Sequence, residues 1–493
     1  MKIILAGYNL DTETIREFQK QNAQAKHLTP ETISAAYARI SRSPKSVDEL
    51  RAIARQEVEK ARASNRNIVF EMGHSSVAEH AVFNIDILGV SRLLVEEIEK
   101  FRLCSYTEKS QRYVLFKDDF VIPDEIRKAG LEETFVGTIR KQNKFYHELY
   151  EKLKPYTFEK HKYLAEDQKT RSILEGWAKE DARYIIAMAT ETQLGMTINA
   201  RNLELMLRRL AAHPLDEARE FSRQLFKATK DTAPSLIRYT EATDYDRLTR
   251  NLLKEAVDAV LKKKKDENGD VFCPQNKPVT LVYTTHQADE ITVASLIHSS
   301  SGLSMKQCLQ TVSQLNQNDK KKIIKATLRH IKSYDAVLRE FEHVDLHFEL
   351  IVSASCFAQL KRHRMATISS QDYDPLYGVT IPPAIQEIEM EDSFLKIIEH
   401  TEAAYRKIAE ITPLAASYIL TNAHRKRVSM KINARELYHI ARLRADRHAQ
   451  WDIRAVTEEM IALGKKTMPL TLMLVTGKDG FPALYHLVAS GDV

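Results

Sequence analysis

Cysteine is scarce: four residues in 493, Cys104, Cys273, Cys308 and Cys356, widely separated and none in a CxxC pair. That spacing excludes a disulfide framework and a cysteine-rich zinc site, no metal site is expected, and a reducing compartment is indicated. Cys104, among apolar neighbours, is expected to be an ordinary buried thiol. Long apolar runs are absent too. No stretch approaches the roughly 20 residues of a membrane helix, and the opening MKIILAGY is too short for a signal segment and is soon followed by acidic residues. A soluble, cytoplasmic protein with no membrane partner is expected. Charge of one sign is not in large excess: the formal net charge is +6 with 28% charged residues. That balance suits anionic small molecules as well as nucleic acid and decides little, with nucleic acid the minor reading.

Hydrophobic content of 43% can fill the two or more cores expected of 493 residues. MKIILAGY reads as a buried strand, and a helix follows with Asp11 or Thr12 as cap and Glu13 in its first turn. LTPETISAAYARIS and SVDELRAIARQEVEKARASN are amphipathic helices. AVFNIDILGV is a strand, SRLLVEEIEKF a helix and SYTEKSQRYV a polar turn, with Tyr113 packing beside it; from Phe145 to Lys230 the pattern reads as almost wholly helical. A lysine run, Asn-Gly and two prolines between Leu261 and Pro278 mark the boundary. The expected domains are 1–265 and 278–493, joined by a linker at 266–277. The pattern then restarts: strand VTLVYTT, helices DEITVASLIHSS, SMKQCLQTVSQL and KKKIIKATLRHIKSYDAVL, strand VDLHFELIV, and a helical half in which Trp451 reads as core.

Leu360–Asp372, reading LKRHRMATISSQD, sets consecutive cationic or titratable groups behind the apolar IVSASCFAQL. Guanidinium groups pair two oxyanion oxygens at once, so the cluster suits a phosphate; equally, basic residues at a helix end cap carbonyls or stay solvated. An internal repeat weighs between these readings. KFRLCSYTEKS and RHRMATISSQD sit alike behind a strand and a helix, and MTINARNLELMLRRL recurs as MKINARELYHIARLR, with Asn199-Ala200-Arg201 matching Asn433-Ala434-Arg435. Two motifs in one order indicate a diverged tandem duplication.

RHR followed by seven residues and a Ser position, an upstream GHxSxxEH, and NAR leading to LRADxHAQW together resemble flavin-dependent thymidylate synthase (ThyX). The likeness covers residues 1–240 and again 278–493. It implies an α+β protein of two diverged ThyX-like domains, each a small, mostly antiparallel sheet with a helical half. The first copy matches at His74, Ser76 and Glu79 on the flavin side, at Glu108, Ser110, Gln111 and Arg112 in the loop that wraps dUMP, and at Arg183 on the nucleotide. It departs at Lys100-Phe101-Arg102 for RHR, at Glu97 for a Gln and at Leu210 for an Arg. The second copy matches at Gln359, Arg362, His363, Arg364, Asn433, His439 and Arg444. It departs at Asp372, Asp374 and Ser417, and its GHxSxxEH is expected to be lost.

Family enzymes are tetramers whose sites borrow residues from different subunits, so the complementary losses imply one composite site between the copies and a homodimer acting as a pseudo-tetramer. The implied reaction is FAD-dependent methylation of dUMP to dTMP, with methylene-tetrahydrofolate as carbon donor and NAD(P)H, here NADPH, as reductant. Arg444 is expected beside the base and, with Ser110, as a catalytic residue, with Gln359 and Arg362 also on the nucleotide; Ser110, Arg112 and Arg183 at the phosphate; Arg362, His363, Arg364 and Glu108 on the cofactor; His74 against its rings; and Asn433 and His439 at its adenosine side. Two alternatives stand: the same chemistry on another pyrimidine nucleotide, and a non-catalytic nucleotide-binding homologue.

Overall fold

The computed structural model describes residues 1–21, 28–40, 43–112, 114–268 and 277–490; Tyr113 and most of the expected linker lie outside them. The fold is α+β and forms two compact units. One comprises Met1–Lys179, Ile186–Cys273 and Ser393–Leu420; the other comprises Glu180–Ile185, Pro274–Asp392 and Thr421–Val493. Each half of the chain therefore supplies a segment to the unit built mainly from the other half.

The first unit holds strands β1 (Lys2–Tyr8), β2 (Val82–Ser91), β3 (Ser105–Glu108) and β4 (Glu191–Asn199), in the order β1-β2-β4-β3 and antiparallel throughout. β2 is central because Phe83, Ile85 and Ile87 alternate inward and are at most 1% exposed. Gly89 adopts φ +69° at a register shift against β4, and a Cβ there would stand 3.2 Å from the Met1 backbone, so this bulge requires glycine. Two expectations fail here. β4 lies inside the span read as helical, yet Thr192, Leu194, Met196 and Ile198 are buried while Glu191, Gln193, Gly195 and Thr197 face out. That period of two belongs to a strand, and the helix pattern on either side of it concealed it. SYTE, read as part of a turn, is an edge strand on β4.

The helix Glu132–Lys160 buries Phe135, Ile139, Tyr146, Leu149 and Leu153. Ser393–Leu420, from the C-terminal half, packs on it: Phe394 lies 6.5 Å from Phe145 between ring centres, and Gln142 Nε2 donates to Thr401 Oγ1 (2.8 Å) and to the Ile419 carbonyl (3.0 Å).

The second unit repeats the arrangement with β5 (Val279–Thr284), β6 (Asp345–Ser353), β7 (Thr367–Ser370) and β8 (Arg425–Asn433), ordered β5-β6-β8-β7 and antiparallel. Phe348 and Leu350 of β6 and Val428 and Met430 of β8 are fully buried in its core. β8 too falls in a stretch expected to be helical, and the helix read through KKKIIKATLRHIKSYDAVL ends at Leu328. Caps recur at matching places. Ser91 and Ser353 accept the Leu94 and Cys356 amides at the start of the helices Arg92–Ile98 and Ala354–Leu360, and Asn199 and Asn433 accept those of Asn202 and Glu436.

Exchanged segments predict that the chain cut between residues 268 and 277 yields two fragments that copurify when co-expressed and melt together. Each fragment made alone loses at least 10 °C or aggregates, as measured by circular dichroism; fragments that melt separately like the intact chain would contradict this.

Candidate functional site

In the second unit a buried hydrogen-bonded chain runs through the residues singled out from sequence. Asp452, the second residue of the helix Trp451–Thr467, is 8% exposed and accepts from Ser353 Oγ at 2.5 Å and from Tyr184 Oη at 2.9 Å. Tyr184 Oη in turn accepts from Gln450 Nε2 (2.8 Å), whose Oε1 accepts from Gln359 Nε2 (3.2 Å). The Gln359 carbonyl accepts from Arg444 Nη2 at 3.2 Å, and Arg444 Nε donates to His363 Nε2 at 3.0 Å. His363 is buried, which pushes its pKa down; the neutral ring accepts the Arg444 proton, while Glu436 lies 3.7 Å from Nδ1. Burial likewise raises the Asp452 carboxyl, against the pull of Ser353, Tyr184, Arg425 and Arg183.

Tyr184 belongs to the N-terminal half. Its carbonyl accepts the Ala423 amide at 2.8 Å, the Arg183 carbonyl accepts from Asn422 Nδ2 at 3.0 Å, and its ring stacks on Trp451 with centres 5.6 Å apart. Trp451 Nε1 donates to Asp181 at 2.8 Å. Trp451, expected in the core, is half-buried and clasps this segment instead, because its indole has an N–H that needs an acceptor.

The first unit contains the same device built from other residues. Glu217 accepts from the Ser91 amide (2.8 Å), Ser91 Oγ (2.6 Å) and Tyr418 Oη (2.7 Å). Ser417 occupies the position before this tyrosine, where Arg183 precedes the other. Glu97, at the place of Gln359, pairs with Lys100 Nζ (2.6 Å) and His213 Nε2 (3.3 Å). Burial pushes its carboxyl up, but those two partners outweigh it and hold the pKa at about 2.

The structure separates the expected residues into two sets. In the first unit His74, just before the 3-10 turn Ser75–His80, and Ser76 within it are exposed, and Glu79 binds Arg201 Nη1 at 2.5 Å. Glu108, at the end of β3, accepts from Thr192 Oγ1 at 3.4 Å. Ser110 Oγ accepts the Arg112 amide at 3.2 Å, and Ser110 and Gln111 line a small pocket of about 30 Å³ with Lys109, Lys117, Glu191 and Thr192. Gln359, His363, Arg444 and Arg183 all belong to the second unit, with Arg362 and Arg364 exposed on either side of His363. His439 meets His363 edge-on at 5.8 Å, and Asn433 Oδ1 is engaged as a helix cap. GHxSxxEH is not wholly lost from the second copy. The 3-10 turn Arg339–His343 precedes β6 as Ser75–His80 precedes β2, and Glu342 binds Arg435 Nη1 at 3.0 Å as Glu79 binds Arg201. Its Glu-His end survives.

The family model described as thymidylate synthase complementing protein (Thy1) matches residues 25–235 and again 280–470. The chain belongs to the Thy1 family. A flavin-dependent thymidylate synthase of Clostridium tetani is 32% identical over 215 residues, 43% of this Thy1 chain and 82% of its own length. A UPF0159 protein of Thermoplasma acidophilum is 23% identical over 438 residues, 80% and 84% of the two chains. Among solved structures, ThyX from Helicobacter pylori with FAD and dUMP is 18% identical, with a TM-score of 0.31 over 48% of this chain and 97% of its own. A UMP/dUMP methylase from Streptomyces cacaoi bound to 5-Br dUMP is 20% identical, with a TM-score of 0.33 over 42% and 94%.

Sequence reasoning passed over the two buried carboxylates, both tyrosines and Gln450 of the Thy1 chain. Arg183-Tyr184-Ile185 against Ser417-Tyr418-Ile419 is the repeated signal that could have found the tyrosines. His424 also escaped notice. It is fully buried, follows Ala423 whose amide donates to the Tyr184 carbonyl, accepts the Thr421 amide on Nδ1 (2.9 Å), and burial drives its pKa from 6.5 to about 3. A depressed histidine leaves the unfolded chain binding more protons below pH 6.5, so its contribution is complete above pH 6.5 and is lost as pH falls toward about 3. Urea unfolding across that window should weaken by up to about 1.4 kcal/mol per pH unit from this group. His424→Asn should remove that part of the slope; an unchanged pH dependence would contradict the assignment.

Proposed function

We propose that the protein is an FAD-dependent methyltransferase that converts dUMP to dTMP, with methylene-tetrahydrofolate as carbon donor and NADPH as reductant. Its site is composite: Gln359, Arg362, His363, Arg364, Asn433, His439, Arg444 and Arg183 from one unit act with His74, Ser76, Glu79, Glu108, Ser110, Gln111 and Arg112 from the other. The observation that carries this reading is that Arg183, from the N-terminal half of the chain, stands in the same unit as Gln359 and Arg444. Pairing of two chains makes the pseudo-tetramer.

Two exposed guanidinium groups flanking a buried neutral imidazole fit a flavin diphosphate, which takes paired charge-assisted donors. Bound FAD, once reduced by NADPH, would supply the hydride, and the chain supplies position. Arg444 is held by two hydrogen bonds, so its plane is set before any ligand arrives. A cation fixed in this way would stabilise the electron-rich, enolate-like form of the pyrimidine from which C5 attacks the one-carbon unit. Arg112, Arg183 and the amides around Ser110 would take the phosphate. No cysteine nucleophile is required, and Cys104 and Cys356 are buried.

The loss of part of the motif set from each copy, such as Asp372 and Asp374 in the second, favours a nucleotide-binding homologue without turnover as the second reading. Chemistry on another pyrimidine nucleotide is the third. Purified protein should be yellow, and NADPH should bleach its flavin faster with dUMP present. Arg364→Ala and Arg112→Ala should each abolish flavin or nucleotide binding, followed by absorbance and calorimetry. A colourless protein that takes up no FAD ends the flavin reading; either variant binding both ligands normally ends the composite site.

A further inference from the structure

We propose that Tyr184 is a positioning residue that aims Arg183 at the nucleotide phosphate; this rests on Arg183 being a phosphate ligand. Arg183 is 6% exposed and lies in a three-residue 3-10 turn, Arg183–Ile185, at the end of the helix Gln168–Ala182. The segment is held from outside at four points. The Arg183 and Tyr184 carbonyls take Asn422 Nδ2 and the Ala423 amide, Asp181 takes the Trp451 indole, and the Tyr184 hydroxyl bridges Gln450 and Asp452. The last of these reaches the nucleotide set, through Gln450 to Gln359 and on to Arg444. Tyr184 thus registers Arg183 against the residues expected at the base. A fully buried tyrosine could fill this space as phenylalanine does; the hydroxyl is what makes the connection.

The same fold supplies a control. Tyr418 is also fully buried and gives its hydroxyl to Glu217 at 2.7 Å, but Ser417 precedes it where Arg183 precedes Tyr184. Loss of either hydroxyl costs a comparable buried hydrogen bond to a carboxyl. Only one of them stands next to an arginine.

The test compares dUMP with deoxyuridine, which lacks the phosphate, on wild type, Tyr184→Phe and Tyr418→Phe, by calorimetry on the full chain with melting temperatures recorded. Tyr184→Phe should lower the dUMP-over-deoxyuridine preference about tenfold, or about 1.4 kcal/mol, mainly by weakening dUMP. Tyr418→Phe should lose similar thermal stability and keep the wild-type preference. An unchanged preference in Tyr184→Phe, or an equal fall in both variants, would overturn the positioning role. Should Tyr184→Phe fail to fold, Gln450→Glu, which keeps the side-chain size and removes the donor to Tyr184, carries the same expectation and the same refutation. Wild-type protein that binds deoxyuridine as tightly as dUMP, or neither ligand, would overturn the phosphate reading beneath it, a result distinct from a failure of the variant.

Discussion

A carboxyl buried at the end of each central strand is the constraint on which the rest depends. Taking such a group from water costs several kcal/mol unless hydrogen bonds replace the lost hydration. Asp452 recovers them from Ser353 and Tyr184, and Glu217 from Ser91 and Tyr418. Each serine also caps the helix that begins there, so one carboxyl fixes the end of a strand, the start of a helix and a tyrosine from the other half of the chain. The helix started by Ser353 carries Gln359 and leads to His363; the one started by Ser91 carries Glu97 and leads to Lys100. Neither carboxyl draws all its hydrogen bonds from its own half of the chain, and the compact units do not follow the chain's midpoint.

Around this shared frame the two copies differ where charge matters. In the second unit Gln359 is neutral, Arg444 is oriented by a neutral histidine, and Arg362 and Arg364 reach the surface. In the first, the carboxylate at the place of Gln359 stays ionised and engages Lys100 and His213, and leucine replaces the late arginine. A site whose cations are already neutralised from within has little left for an anionic ligand. The Ser110 pocket keeps two lysines and its loop. The two units thus carry different residue sets on the same frame.

Much of this was legible in the residues. The strands at the start of each half, the helices behind them and the repeated Asn-Ala-Arg all follow from local periodicity and capping chemistry. β4 and β8 were read as helix although Thr192, Leu194, Met196 and Ile198 alternate cleanly, because strong helix formers on both sides dominate any window that spans them. The surviving Glu342 and His343 were passed over because only their Glu-His pair, without the Gly-His before it, remains; the bond to Arg435 reveals them.

The sequence by itself determined the family likeness, the α+β class, the twofold repeat and which cations each copy retained, since these depend on residue type and short spacing. Tertiary structure alone decided that Arg183 and Tyr184 join the second unit, that Trp451 clasps them, and that Asp452 and Glu217 hold each arrangement in place. The Tyr184–Asp452 bond links residues 268 apart and the Tyr418–Glu217 bond residues 201 apart. No local pattern specifies which distant donor will satisfy a buried acceptor, because that choice is made by the whole core as it excludes water.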